Sequence, residues 1–140
     1  MDPMGKVALV TGGASRVGGA ITLGLARAGS DVLIHYNSAS GPAERVATEA
    51  RELGVEALTV QAGLGDQQGA QMLGDTVEDA VGRVDIIVHA ASPFIETPLE
   101  DVTLPTWRLV MGVVAESLLW LVQRFSPQMK ERGEGAIISV

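Results

Sequence analysis

Residues 6–20 read KVALVTGGASRVGGA, and this stretch decides the fold. Lys6–Val10 is a short apolar run followed by Thr11-Gly12-Gly13, which is typical of a buried strand and a tight turn. From Val17 to Ala28 the apolar residues recur at helical spacing, and Gly29 stands where a helix commonly ends. The stretch therefore predicts a strand, a glycine-rich loop and a helix in direct succession.

The rest of the chain repeats this alternation of apolar strands and amphipathic helices. Further strands are predicted at Asp31–Tyr36, Ala57–Gln61, Asp85–His89 and Gly135–Val140. Helices are predicted from Pro42 to Leu53, over Gln67–Val81, and roughly from Leu104 to Lys130 with a bend near Pro127. This order favours an α/β fold, a doubly wound parallel sheet (Rossmann-like) of five strands with helices on both faces.

The amino-acid composition excludes several classes of function. The 140 residues are 46% hydrophobic with a net charge of −7, so we expect one domain over 1–140 and no nucleic-acid or anionic membrane surface. The absence of Cys excludes a thiolate nucleophile, and His35 and His89 lack the further ligands that a metal site needs. No secretion signal is visible and the apolar runs are shorter than a membrane span, so a cytoplasmic protein is expected.

The glycine-rich loop is suited to phosphate. Gly12 and Gly13 permit a tight turn, and free N–H groups at the start of the following helix favour a pyrophosphate. No Gly-Lys-Ser/Thr sequence is present, which disfavours a mononucleotide loop. Polar residues also follow the second and fourth strands, at the edge where doubly wound sheets bind ligands. These features predict a dinucleotide site, and the alternative is an ordinary strand–helix turn without a ligand.

The loop resembles that of the short-chain dehydrogenase/reductase family, whose pattern is Thr-Gly-x-x-x-Gly-x-Gly. Thr11, Gly12 and Gly18 match it, and Arg16 replaces the middle glycine, as in the pteridine-reductase-like group.

Three later segments also resemble this family. Asp85–Ser92 (DIIVHAAS) stands where the family has a strand ending in Asn-Asn-Ala-Gly, and Trp107 heads a long helix. Gly135–Val140 resembles the strand that leads to the catalytic Ser. The resemblance implies NAD(P)(H) binding and hydride transfer between the cofactor and a carbonyl or alcohol.

The chain departs from the family pattern at the residues that do chemistry. Val114 stands at the family's helix Asn, His89-Ala90 replaces the Asn pair, and Gly63 stands where an acid often lies near the adenine. Tyr36 is the only Tyr, so no Tyr-x-x-x-Lys is present, and the catalytic Ser is expected just past Val140. We assign no catalytic residue, and we expect the C-terminal part of the family fold to be absent and the chain alone to be inactive.

The end of the second strand favours NADP(H) over NAD. NAD enzymes of this fold carry an acid there for the ribose hydroxyls, whereas this chain has Tyr36-Asn37-Ser38. Arg16 offers a cation for the same 2′-phosphate. The alternative is a solvated Arg16 and a polar turn at Asn37-Ser38.

The predicted cofactor site draws on the loop and on three strand ends. Leu64 is expected to flank the adenine, and Ala90 and Ala91 to line the ribose–nicotinamide side. His89 is expected either to hydrogen-bond the ribose or nicotinamide or to cap the strand. The full set is Gly12, Ser15, Arg16, Val17, Gly18, Tyr36, Asn37, Ser38, Leu64, His89, Ala90 and Ala91.

Two further features concern partners. Glu96, Glu100 and Asp101 could form a paired-carboxylate site, but a solvated loop is the simpler interpretation. The helix from Trp107 is apolar on most of its circumference, which favours a homo-oligomer through that helix unless further chain covers it. Two functions stay open: the NADP(H)-binding portion of a short-chain oxidoreductase acting on an unknown small molecule, or a non-catalytic binding or interaction subunit that needs a partner chain.

Overall fold

Five strands alternate with helices in the computed structural model, which describes residues 1–140. The strands are β1 (Val7–Thr11), β2 (Asp31–Tyr36), β3 (Ala57–Gln61), β4 (Ile86–His89) and β5 (Ala136–Ser139). The helices are α1 (Arg16–Arg27), α2 (Ser40–Glu52), α3 (Gln67–Val81), α4 (Leu104–Met111) and α5 (Ser117–Arg132). A single 3₁₀ turn lies at Leu99–Asp101, and a π-helical turn at Gly112–Glu116 joins α4 to α5.

The strands form one parallel sheet in the order β3-β2-β1-β4-β5. Leu9 of β1 is in register with Leu33 of β2 on one side and with Ile87 of β4 on the other. The chain moves outward from β1 to β3 and then returns to the other side of β1 for β4 and β5. This arrangement confirms the predicted doubly wound fold and places a ligand crevice at the carboxyl ends of β1 and β4.

Each face of the sheet buries its own apolar layer, because successive side chains of a strand point to opposite faces. Leu9 packs on the face covered by α3 and α5, with Leu73 and Phe125. Val10 packs on the face covered by α1 and α2. There the helices present small side chains, which allow them to lie close to the sheet: Ala26, Ala43, Ala47 and Ala50.

The long C-terminal helix contains one feature that was not expected. α5 continues through Pro127, where a bend is predicted, and a further departure from α-helical geometry lies at Gly112–Glu116. Gly112 begins this turn and lies against the β3–α3 loop, where a Cβ on Gly112 would overlap the carbonyl oxygen of Gly65. The helix widens where it meets that loop.

The same helix, Leu104–Arg132, is long and apolar enough to span a membrane by length and composition alone, although the individual apolar runs are short. Its buried stripe packs on the sheet as in a core helix: Ser117, Leu121, Phe125 and Met129. Several apolar side chains on the other side are exposed, including Leu104, Trp107 and Leu119. A helix with apolar residues on both sides has one face that the rest of the chain does not cover.

A buried carboxylate fixes the amino end of the sheet. Asp85 is 4% exposed and accepts a hydrogen bond from the backbone N–H of Val7 at 2.9 Å. Its two carboxylate oxygens also pair with Arg83 at 3.1 Å and with Arg132 at 3.2 Å. One side chain therefore connects β1, β4 and α5 at the amino ends of the strands, opposite the predicted site.

We expect Asp85→Ala to lower the free energy of unfolding by about 3 kcal/mol, since it leaves a buried N–H and two arginines without their partner. Urea denaturation measures this change. The control is Glu49→Ala, which removes the exposed ion pair with Arg27 and should cost less than about 1 kcal/mol. Equal losses for the two variants would contradict the role given to Asp85.

Candidate functional site

A cleft of about 530 Å³ opens at the carboxyl edge of the sheet. Its walls are the glycine loop, the end of β2, the β3–α3 loop and the segment between β4 and α4. The volume lies within the range of small-molecule and cofactor sites. The cleft is the one that the sheet topology predicts, at the point where the strand order reverses.

The glycine loop presents a row of free donors to this cleft. The backbone N–H groups of residues 14–18 make no hydrogen bond within the chain. Ser15 is the N-cap residue of α1, yet its side chain makes no capping bond. Five successive amides at a helix start, together with the helix dipole, form a site complementary to an anion.

Glycine is required at two positions of the loop because other backbone lies against it. Gly12 has a φ of +64°, and a Cβ there would lie 2.9 Å from both Ala90 O and Ala91 Cα. A Cβ on Gly18 would overlap the carbonyl oxygen of Gly12. The loop is therefore seated directly on the end of β4.

Arg16 occupies the place of the middle glycine and keeps a glycine-like backbone. Its φ of +51° is the only positive value at a non-glycine residue of the chain. The guanidinium carbon lies 5.9 Å from the centroid of the Phe94 ring, which is a cation–π arrangement. No hydrogen bond joins Arg16 to Asn37 or Ser38, so its side chain extends toward the β4–α4 segment.

The charge in the cleft differs from that of the whole chain. The protein carries a net charge of −7, yet no Asp or Glu lines the cleft and Arg16 is the one charged side chain there. The end of β2 contributes Tyr36, Asn37 and Ser38. A cleft without carboxylates favours an anionic ligand, because no like charge opposes it.

His35 of β2 forms part of the cleft floor. Its Nδ1 accepts a hydrogen bond from the N–H of Gly12 at 3.1 Å, and its Nε2 donates to the carbonyl of Ala62 at 3.0 Å. The ring is 2% exposed, and burial lowers the pKa of His35 below its usual value. The imidazole therefore joins the glycine loop to the end of β3.

His89 is not among the residues that line the cleft, and its contacts fit the second of its two expected roles, a cap on the strand. Its Nδ1 lies 2.8 Å from the hydroxyl oxygen of Thr11, and its Nε2 donates to the carbonyl of Val113 at 3.0 Å. Burial lowers the pKa of His89 as well. With both ring nitrogens engaged, His89 caps β4 and fixes it to the π-helical turn.

The other eleven predicted site residues line one cleft together. Glu96, Glu100 and Asp101 lie outside it and are exposed, as expected of a solvated loop. No group of three or more His, Asp or Glu residues is placed to hold a metal ion. No signal in the sequence pointed to several residues that reach the cleft from distant elements, including Phe94, Leu109 and Val113.

Comparison with known proteins establishes the class. The model of the short chain dehydrogenase family matches residues 6–140, and the chain belongs to this family. The chain is 41% identical over 118 residues to the short-chain dehydrogenase/reductase FrzI of a Cladobotryum species, a match that covers 84% of this chain and 46% of the relative. It is 32% identical over 139 residues to an L-rhamnose 1-dehydrogenase (NAD(P)(+)) of a Sphingomonas species, covering 96% and 53%.

Solved structures share the fold. A short chain dehydrogenase from Burkholderia cenocepacia in complex with NADP aligns with a TM-score of 0.87 at 31% identity, covering 99% of this chain and 56% of that one. The L-sorbose reductase of Gluconobacter frateurii, complexed with NADPH and L-sorbose, aligns with a TM-score of 0.89 at 27% identity, covering 99% and 54%. The chain thus spans about half the length of the relatives it matches.

The backbone of Arg16 gives a testable consequence. We expect Arg16→Gly to raise the free energy of unfolding by about 1 kcal/mol relative to Arg16→Ala, since only glycine adopts the left-handed conformation without strain. Both variants lose the contact with Phe94, so their difference isolates the backbone. Thermal and urea denaturation measure it, and equal stabilities for the two variants would contradict the strained backbone at this position.

Proposed function

We propose that this chain is the NADP(H)-binding portion of a short-chain oxidoreductase that transfers hydride between the nicotinamide cofactor and a carbonyl or alcohol substrate. The observation that carries the proposal is the cleft itself. In an acidic chain it contains no carboxylate, one arginine and five free backbone amides in succession. These groups fit a ligand with several phosphate charges.

In this proposal, different residues bind different parts of the cofactor. The amides of residues 14–18, with the Ser15 hydroxyl, would hold the pyrophosphate. Asn37 and Ser38 would hold the 2′-phosphate at the end of β2, where no acid repels it. Leu64, which is 3% exposed, would support the adenine, and Ala90 and Ala91 the ribose–nicotinamide side. The solved relatives with bound NADP or NADPH support the choice of cofactor.

Arg16 enters the proposal through the position of its guanidinium. Its guanidinium lies over Phe94, and no hydrogen bond fixes it near Ser38. We therefore assign the 2′-phosphate to Asn37 and Ser38, and we assign to Arg16 a general positive charge at the mouth of the cleft.

The chain's own residues bind and orient the cofactor but complete no reaction. When bound, the nicotinamide supplies or accepts the hydride. A carbonyl that receives a hydride must also receive a proton. Tyr36 is the only Tyr, and Val114 stands where the family has its helix Asn. We therefore propose that residues 1–140 bind NADP(H) without reducing a carbonyl. We also propose that the protein acts in the cytoplasm.

The sharpest test of cofactor choice places an acid at the end of β2. We expect wild type to bind NADP⁺ more tightly than NAD⁺ in calorimetric titrations. Ser38→Asp should weaken NADP⁺ binding by at least about tenfold, because a carboxylate would oppose the 2′-phosphate, and should leave NAD⁺ binding little changed.

Thr48→Asp is the matched control, since it adds the same charge on the exposed side of α2, away from the cleft. It should leave both affinities unchanged within about twofold. No heat with either nucleotide for the wild type would overturn the proposed function. An unchanged preference in Ser38→Asp would overturn the placement of the 2′-phosphate.

A second proposal concerns assembly, and it also serves the alternative of a non-catalytic interaction subunit. Trp107 is 57% exposed and Leu104 is 66% exposed on an apolar face of α4. We propose that two copies of the chain pack through the helix that begins near Trp107, because an exposed apolar face of this kind marks an interface.

Sedimentation at micromolar concentration tests this assembly. We expect a dimer for wild type and a monomer for Trp107→Glu, since a buried carboxylate without a partner opposes association. Leu58→Glu, on an exposed site of β3, is the control and should remain dimeric. A monomeric wild type would rule out the interface, whereas a dimer that binds no dinucleotide would favour the interaction subunit over the oxidoreductase.

A further inference from the structure

The ring of His35 has only one protonation state that satisfies its neighbours. The carbonyl of Ala62 can only accept a hydrogen bond, so Nε2 must carry a proton. The amide of Gly12 can only donate, so Nδ1 must be unprotonated. His35 is therefore fixed as the neutral Nε2–H tautomer by two backbone groups that cannot change roles.

One hydrogen-bond partner of His89 can either donate or accept. Its Nε2 also donates to a carbonyl, that of Val113, but its Nδ1 meets the hydroxyl of Thr11. A hydroxyl can donate or accept, and this one already accepts from the N–H of Ala91 at 3.2 Å. A second proton on His89 could be met by rotation of the Thr11 hydroxyl, whereas a second proton on His35 would face the N–H of Gly12.

Gly12 cannot simply move away from a protonated His35. Its other side lies against Ala90 and Ala91, where even a Cβ would come within 2.9 Å of backbone. The N–H of Gly13 also donates to the carbonyl of His35 at 3.1 Å. Repulsion at Gly12 would therefore displace the loop whose next residues, 14–18, carry the free amides.

We propose that neutral His35 is a positioning residue that holds the glycine loop in its anion-binding conformation, so that dinucleotide affinity falls when His35 gains a proton. The proposal rests on the proposed function, because the ligand is NADP(H). It adds a pH dependence of binding that is set by one side chain in the cleft floor.

Few other charged groups influence the protonation of the His35 ring. His89, across β1, repels a proton on His35. Arg16 and Tyr36 line the same cleft, and β3 has no titratable residue. Asp31 and Asp85 lie at the opposite, amino ends of their strands, where each accepts a backbone N–H. No carboxylate in the cleft is placed to stabilise an imidazolium at residue 35.

The test measures NADP⁺ affinity by calorimetry between about pH 8 and about pH 4.5, because burial moves the titration of His35 below the ordinary histidine range. Wild type is compared with His35→Asn, whose side-chain oxygen can accept the Gly12 N–H but does not titrate. The 2′-phosphate of the ligand also titrates near about pH 6, and this contribution is common to every variant. The ratio of dissociation constants at the two pH values should be at least about fivefold larger for wild type than for His35→Asn.

His89→Asn is the matched control, since it makes the same substitution at the other buried histidine. It should keep the wild-type pH dependence of binding. A ratio that is the same in wild type and His35→Asn would overturn the proposal, and so would a ratio that falls equally in His89→Asn.

Nuclear magnetic resonance of the ligand-free chain supplies a second readout that needs neither cofactor nor variant. The Gly12 amide resonance should shift with the protonation of His35 and with the same midpoint. A Gly12 amide that does not respond would overturn the positioning role. If wild type fails to bind NADP⁺ at about pH 8 while the Gly12 amide does respond, the proposed function fails and the positioning role stands.

Discussion

The arrangement of the site depends on the close approach of Gly12 to the carboxyl end of β4. On one side Gly12 lies against Ala90 and Ala91 with no room for a Cβ, and on the other its amide is held by His35. These contacts fix the direction in which the loop leaves β1. The amides of residues 14–18 then stay without hydrogen-bond partners in the wall of the cleft. A site for an anion thus follows from a packing constraint on one residue, and the helix dipole adds to it.

Two buried histidines support the floor of the cleft in complementary ways. His35 links β1 to β3, and His89 links β1 to the π-helical turn through Val113. Both are neutral donors and acceptors in a region where burial opposes charge. The charged groups of the sheet lie at its other edge, around Asp85. This separation leaves the ligand edge free of carboxylates, although the chain as a whole is acidic.

Local sequence signals predicted most of the fold. β3 and α3 begin and end at the predicted residues, because period and flanking glycines are local properties. No local signal predicted the π-helical turn, which lies where Gly112 packs against Gly65, a residue far from it in the chain. For the site, eleven predicted residues line one cleft, and of the two roles expected for His89 its hydrogen bonds fit the cap on β4. A polar residue at a strand end can point toward the ligand or toward the neighbouring helix. For His89, the hydrogen bond to Val113 shows that the side chain points toward the helix.

We propose that the free amides at the start of α1 hold the phosphates of a dinucleotide. Following the backbone amide resonances of the chain while NADP⁺ is added would test this directly. We expect the largest shifts on residues 14–18 and on Asn37 and Ser38, with little change around Asp85 at the opposite ends of the strands. Shifts that avoid residues 14–18, or no shifts at saturating NADP⁺, would contradict it.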